Sequence, residues 1–161
     1  MAIPNYYYKS ATQVTPAWLA ERGLEGVIVD LDNTILPRYT DDVPEEIRAW
    51  LVSLEDAGIP VVLLSNNHRR RVESYAAELG VFPIANAVKP LPFGYLRALR
   101  QLKTPRRKTV MVGDQLFTDV CGAALLGLTS VMVLPLSQRD LAHTLLLRKL
   151  ESVVIRHRHA V

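Results

Sequence analysis

A chain of 161 residues, 49% hydrophobic and 22% charged, can bury one sizeable core and is short for two, so a single domain over residues 1–161 is expected. A net charge of +3 excludes a role built on a strongly basic or acidic field, and one cysteine, Cys121, excludes an intramolecular disulfide. No apolar run reaches the roughly 18 residues of a membrane span, and Met1 to Lys9 lacks the basic and apolar blocks of a signal peptide, so the expected location is cytoplasmic.

Thr15-Pro16 opens a first helix through Arg22, with Gly23 as its stop. Val27 to Asp30 is a β-branched apolar run, a strand, and Asn33 to Val43 is a long loop after it. Pro44 starts a helix whose stripe is Ile47, Trp50, Leu51, Leu54 and Ala57, ended by Gly58. A strand over Val61 to Ser65 leads to a second stripe, Val72, Tyr75, Ala76 and Leu79, closed by Gly80. Phe82 to Ala85 is a short strand, and after Pro90 and Pro92 the stripe Phe93, Leu96, Leu99 and Leu102 marks another helix. Thr109 to Val112 and Ser130 to Leu134 are strands on either side of a helix over Asp119 to Leu126, which Gly127 ends. A last helix is expected from Asp140 to about His157. This alternation predicts an α/β protein: a Rossmann-like parallel sheet with helices on both faces.

In such sheets the ligand crevice lies beyond the carboxyl ends of the strands. Four strands end in polar residues: Asp30 with Asp32, Ser65-Asn66-Asn67, the segment leading to Lys89, and Gly113-Asp114 followed by Asp119. Each alone has a plain structural explanation as a cap, a turn or a surface lysine. Together they are different, because carboxylates converging on one sheet edge repel unless a cation lies among them. Oxygen-only ligands suit Mg²⁺, and no histidine or cysteine cluster offers a softer site.

Asp30-Leu31-Asp32-Asn33-Thr34, Ser65, Lys89 and Gly113-Asp114-Gln115-Leu116-Phe117-Thr118-Asp119, in that order, resemble the four motifs of the haloacid dehalogenase (HAD) superfamily of phosphatases over about residues 24–134. The resemblance implies a magnesium-dependent phosphate-monoester hydrolase that works through an aspartyl-phosphate. It makes Asp30 the nucleophile and Asp32 the general acid and base, with Ser65, the Asn66 amide and Lys89 on the phosphate. Metal ligands would be Asp30, the Asp32 carbonyl and Asp114, while Thr34 and Asp119 would support them, Asp119 by orienting a metal-bound water or holding Lys89.

Neither the stretch after the first motif nor that between the second and third has room for a folded cap domain, so an open site is expected. The consecutive Arg69, Arg70 and Arg71 start a helix, where the dipole disfavours cations, and are candidate contacts to an anionic substrate. Thr-Pro before the first strand, Ser-Asn-Asn, Lys-Pro and Gly-Asp-Gln-x-x-Thr-Asp are similar to the short, capless (subclass III) YqeG-type phosphatases, themselves similar to phosphatidylglycerophosphate phosphatases. That likeness implies phospholipid biosynthesis, an anionic phospholipid head group as partner, and peripheral contact with the inner face of the membrane. Tyr6, Tyr7, Tyr8 and Trp18 at one end, and the basic, Leu-rich carboxyl segment at the other, are the candidate contacts. Two alternatives stand beside it: a phosphatase for a soluble phosphometabolite or phosphoprotein, and a non-catalytic binding protein of the same fold. No aromatic-basic interleaving points to nucleic acid, and oligomerisation is left open.

Overall fold

Gly26-Val27-Ile28-Val29 is apolar on both faces, and a strand of that kind belongs in the interior of a parallel sheet. The computed structural model, which describes residues 2–38 and 40–137, buries all four. They form the second of six strands: β1 (Tyr6–Tyr8), β2 (Gly26–Val29), β3 (Val61–Leu64), β4 (Phe82–Ile84), β5 (Thr109–Gly113) and β6 (Thr129–Val133). The spatial order is β1-β6-β5-β2-β3-β4 and every pairing is parallel. The central strand β2 sets Val29 beside Leu63 on one side and beside Val112 on the other. The residues that follow these three strands therefore converge.

Five α-helices cross over between the strands: α1 (Pro16–Glu21), α2 (Glu45–Asp56), α3 (Arg69–Leu79), α4 (Pro92–Leu102) and α5 (Cys121–Leu126). Alternation along the strands divides the core into two layers. Val27, Val29, Leu63, Val110 and Val112 pack with Leu19 of α1, Trp50 and Leu54 of α2, and Val72 and Tyr75 of α3. Ile28, Val62, Leu64 and Met111 pack on the opposite face with Tyr95, Ala98 and Leu102 of α4 and Ala123 and Leu126 of α5. Helices on both faces are what the alternating pattern predicts, and no cap domain interrupts the described residues.

Two elements depart from the sequence reading. The segment before α5 is a π-helical turn over Leu116–Val120, in which the Val120 amide donates to the Gln115 carbonyl. Helix α5 begins only at Cys121, so Asp119 lies in the wider turn. The second departure is β1, an edge strand aligned with Val131 to Val133 of β6. Its partner lies more than a hundred residues away, and no local pattern shows such a pairing. This placement corrects the idea that Trp18 contacts a membrane. Trp18 is buried, its indole N–H donates to the Tyr8 hydroxyl at 2.6 Å, and the rings of Tyr6 and Tyr8 pack edge-on to it. The Arg22 guanidinium lies over the Trp18 ring, 4.2 Å from its centre, and over Tyr6 as well, so the aromatic group is satisfied within the protein. The helix expected over Asp140 to His157 lies outside the described residues.

Candidate active site

Asp30 follows β2 directly, and its amide donates to the Val112 carbonyl, which extends the sheet by one bond beyond Val29. The chain then turns tightly. The Leu31 carbonyl accepts from the amides of Thr34, Ile35 and Leu36, with Asn33 in the left-handed region at φ 60°. Asparagine tolerates that conformation better than most residues. The turn brings the Thr34 hydroxyl within 3.4 Å of both Asp30 Oδ2 and Asp114 Oδ1.

Lys89 arrives from the loop after β4, two strands away from β2. Val88 precedes it at φ 53°, an unusual conformation for a β-branched residue, so the chain carries Lys89 inward while Val88 stays exposed. The Lys89 backbone is gripped on both sides by one side chain: Asn66 Oδ1 accepts from its N–H at 2.6 Å, and Asn66 Nδ2 donates to its carbonyl at 3.2 Å. Its ammonium donates to Asp30 Oδ1 and to Asp119 Oδ1, both at 2.7 Å, in a fully buried setting. Asp119 is fixed in turn by the Gln115 amide at 3.1 Å. It approaches Gly113 so closely that a Cβ there would lie 2.2 Å from Asp119 Oδ2, so only glycine fits. From α4, the Tyr95 hydroxyl donates to the Thr118 carbonyl at 2.7 Å and steadies the same turn.

Asp30, Asp114 and Asp119 thus offer carboxylate oxygens within 4.8 Å of one another, and all three residues are buried. Burial pushes the Asp30 carboxyl up to about 6 against the pull of Lys89. Burial, together with the charges of Asp30 and Asp119, pushes Asp114 up to about 8. For Lys89 burial acts downward, but the carboxylates of Asp119 and Asp30 outweigh it and hold the ammonium above its ordinary range. Three acids against one lysine leave an excess of negative charge, and Asp114 Oδ2 is buried without a hydrogen-bond partner. An all-oxygen donor set with an orphaned carboxylate oxygen fits a hard divalent cation.

The same imbalance predicts how stability responds to pH. Asp114 binds its proton more tightly folded than unfolded, so that stabilisation is complete at and below about pH 3.8 and is lost as the pH rises through about 8. In divalent-free buffer the thermal midpoint should fall between pH 5 and 8.5, by on the order of 5 °C. Asp114→Asn should flatten the trend, and a divalent cation should restore the wild-type midpoint at the alkaline end. A wild-type midpoint that climbs over this interval without metal would contradict the charge assignment.

Asp32 is set apart from this cluster. Its side chain is 42% exposed and turned to the rim, where Oδ1 accepts from Arg71 Nη2 and Oδ2 from Asn67 Nδ2, each at 3.3 Å. Between cluster and rim lies an open cavity of about 250 Å³ lined by Asp30, Asp32, Ser65, Asn66 and Lys89 from the sequence-derived set. Asn67, Gln115 and Thr118 line it as well. Sequence reasoning gave these three no role, although their adjacency to Ser65, Asp114 and Asp119 was a usable signal. The three arginines separate: Arg71 meets Asp32, Arg69 pairs with Glu73 one turn along the helix, and Arg70 is exposed. None of the three lines the cavity, and Arg71 alone meets a residue that does, Asp32.

Comparison with known proteins agrees with this architecture. Residues 38–127 match the family described as haloacid dehalogenase-like hydrolase. The chain is 33% identical over 138 residues to the protein named "Probable phosphatase YqeG" from Bacillus subtilis (strain 168), covering 86% of this chain and 80% of that one. Among solved structures, a HAD phosphatase from Thermococcus onnurineus superposes with a TM-score of 0.54 and 27% identity, covering 62% of this chain and 50% of its own. An uncharacterized protein from Listeria monocytogenes serotype 4b superposes with a TM-score of 0.56 at 19% identity, covering 78% of this chain and 99% of its own, a likeness of fold. With buried carboxylates at adjoining strand ends and relatives on this scale, the chain belongs to the haloacid dehalogenase-like hydrolases, as a phosphatase of that family.

Proposed function

We propose that this phosphatase hydrolyses phosphate monoesters through an aspartyl-phosphate on Asp30, with Mg²⁺ as its ion and phosphatidylglycerophosphate as its substrate. The observation that carries the chemistry is the Lys89 ammonium bonded to both Asp30 and Asp119 at the floor of the open cavity, with Asp32 facing that cavity from the rim.

A carboxylate approaching a phosphate dianion meets repulsion of about 4 kcal/mol per pair of unit charges at ~4 Å and an effective dielectric near 20. Lys89 offsets part of it. Asp30, Asp114 and the Asp32 carbonyl would hold magnesium, which would supply the further positive charge that the transferring oxygens need. As the Asp30 oxygen bonds to phosphorus, the bond to the leaving oxygen breaks, and Asp32 gives that oxygen its proton. Asp32, now a carboxylate, takes a proton from water, which attacks phosphorus, releases phosphate and frees Asp30. Asn67 and Arg71 keep Asp32 in reach of both events. Ser65 and the Asn66 amide hold the transferring oxygens, Thr34 supports Asp30, and Asp119 keeps Lys89 in place.

The lipid assignment draws on the likeness of motifs and on a mouth that no cap covers among the described residues. A panel of phosphorylated compounds that includes phosphatidylglycerophosphate in mixed micelles tests it. Preferred turnover of the lipid is expected. Faster hydrolysis of phosphosugars, nucleotides or phosphopeptides, with the lipid ignored, would transfer the enzyme to a soluble substrate and leave the mechanism standing.

A further inference from the structure

The loops that build the active site also carry exposed apolar side chains. Eight large hydrophobic residues are exposed among the described residues, and four of them, Val88, Leu91, Phe93 and Phe117, lie on two loops or on the first turn of the helix that follows one of them. Val88 and Leu91 flank Lys89-Pro90, with the Leu91 amide bonded to the Val88 carbonyl, and Phe93 follows at the start of α4. Phe117 stands between Asp114 and Asp119, in the turn that Tyr95 of α4 holds through the Thr118 carbonyl. Both loops leave the carboxyl end of the sheet, and both insert a charged residue into the cluster while turning apolar ones outward. Phe93 and Phe117 are 67% and 70% exposed, a steep cost for side chains of that size unless something else covers them.

The third loop at this end carries charge instead. After β3 come His68, Arg69 and Arg70, all exposed, at the start of α3. Beyond the residues that line the cavity, the carboxyl end of the sheet thus carries exposed apolar side chains on the loops of Lys89 and Asp119 and exposed basic ones on the loop of Ser65. Arg69 shares its charge with Glu73, whereas Arg70 has no such neighbour among the ion pairs of the described residues. Apolar side chains that can enter the acyl boundary, next to arginines at head-group height, are complementary to an anionic lipid surface.

We propose that this rim is a docking surface for an anionic membrane, with Val88, Leu91, Phe93 and Phe117 inserted and Arg69 and Arg70 against lipid phosphates. The proposal rests on the lipid reading of the substrate and deepens it: the cavity faces the bilayer and takes a phosphomonoester standing out of it. The surface is built into the catalytic loops, so docking needs neither the aromatic amino end nor the carboxyl segment.

Co-sedimentation of the full chain with phosphatidylglycerol-containing vesicles and with neutral phosphatidylcholine vesicles is the test, run beside hydrolysis of a soluble aryl phosphate and a measurement of molecular mass in solution. Wild type should sediment with anionic vesicles, more weakly with neutral ones, and less at high salt. Leu91→Ser/Phe93→Ser should lower vesicle binding about tenfold or more while aryl phosphate turnover stays unchanged. Serine suits position 91, which caps α4, so the variant should fold. Arg70→Glu should weaken binding to anionic vesicles and leave the neutral ones as they were. Wild type that ignores anionic vesicles, or binds them as well after the double substitution, overturns the docking surface; if micellar lipid is still hydrolysed, the substrate assignment survives. A dimer that the double substitution converts to monomer would also overturn it, making the rim a contact between two copies of the chain.

Discussion

Asp30→Asn should abolish turnover, with a loss of about 10³-fold or more in the hydrolysis of an aryl phosphate at saturating Mg²⁺, and should leave the protein folded. The amide nearly matches the carboxylate in shape and removes the oxygen proposed as nucleophile. It also removes one negative charge from a buried cluster that holds too many, since burial already pushes Asp30 up to about 6. Lys89 keeps its bond to Asp119 at 2.7 Å. The thermal midpoint in divalent-free buffer should therefore equal or exceed that of wild type. Activity and stability moving in opposite directions distinguish a nucleophile from a structural acid, whose loss would lower both. Unchanged turnover would remove Asp30 from the mechanism.

Lys89→Met should cost more in stability than any other single change in the site. Lysine and methionine are similar in length, so packing is largely kept, but Asp30 and Asp119 lose their shared partner. Removing one member of a buried ion pair costs about 3–5 kcal/mol, because the remaining charge is neither solvated nor paired. For a chain of this size that corresponds to a fall of roughly 10 °C in the midpoint. Catalysis should fall too, by about 10²–10³-fold, through loss of the donor proposed to meet the transferring oxygens. The double variant Lys89→Met/Asp119→Asn separates the two effects. It removes one stranded charge with the amine, so it should regain much of the stability and none of the activity. A Lys89→Met protein as stable as wild type would show that the ammonium is not the counter-ion on which this cluster depends.

How far the sequence foretold this depends on the range over which each feature is encoded. The residues that end β2, β3 and β5 were legible because a strand's apolar run is local and its polar terminator adjoins it. In a parallel sheet all such terminators meet at one edge. Side-chain direction was not legible. Three consecutive arginines look like one basic patch, yet successive helical residues diverge by about 100°, and so Arg69 meets Glu73, Arg70 faces solvent and Arg71 reaches Asp32. Asn66 was read through its amide alone, while its side chain grips the Lys89 backbone from a different loop. The aromatic run Tyr6-Tyr7-Tyr8 was not legible as a strand, for the opposite reason. Its meaning depends on Val131 to Val133, and only the folded register brings them together.

That register has a consequence for how the chain is made. Leaving the ribosome, Tyr6 to Tyr8 must wait for residues through Val133 before their partner exists, whereas β2 and β3 find each other much sooner. Until β1 docks, β6 has an open, apolar and largely buried-type edge, Thr129-Ser130-Val131-Met132-Val133, of the sort that recruits strands from other molecules. Strand β1 thus serves as a late-arriving edge guard, latched by Asn5, whose side-chain oxygen accepts from the Ser130 amide at 2.9 Å.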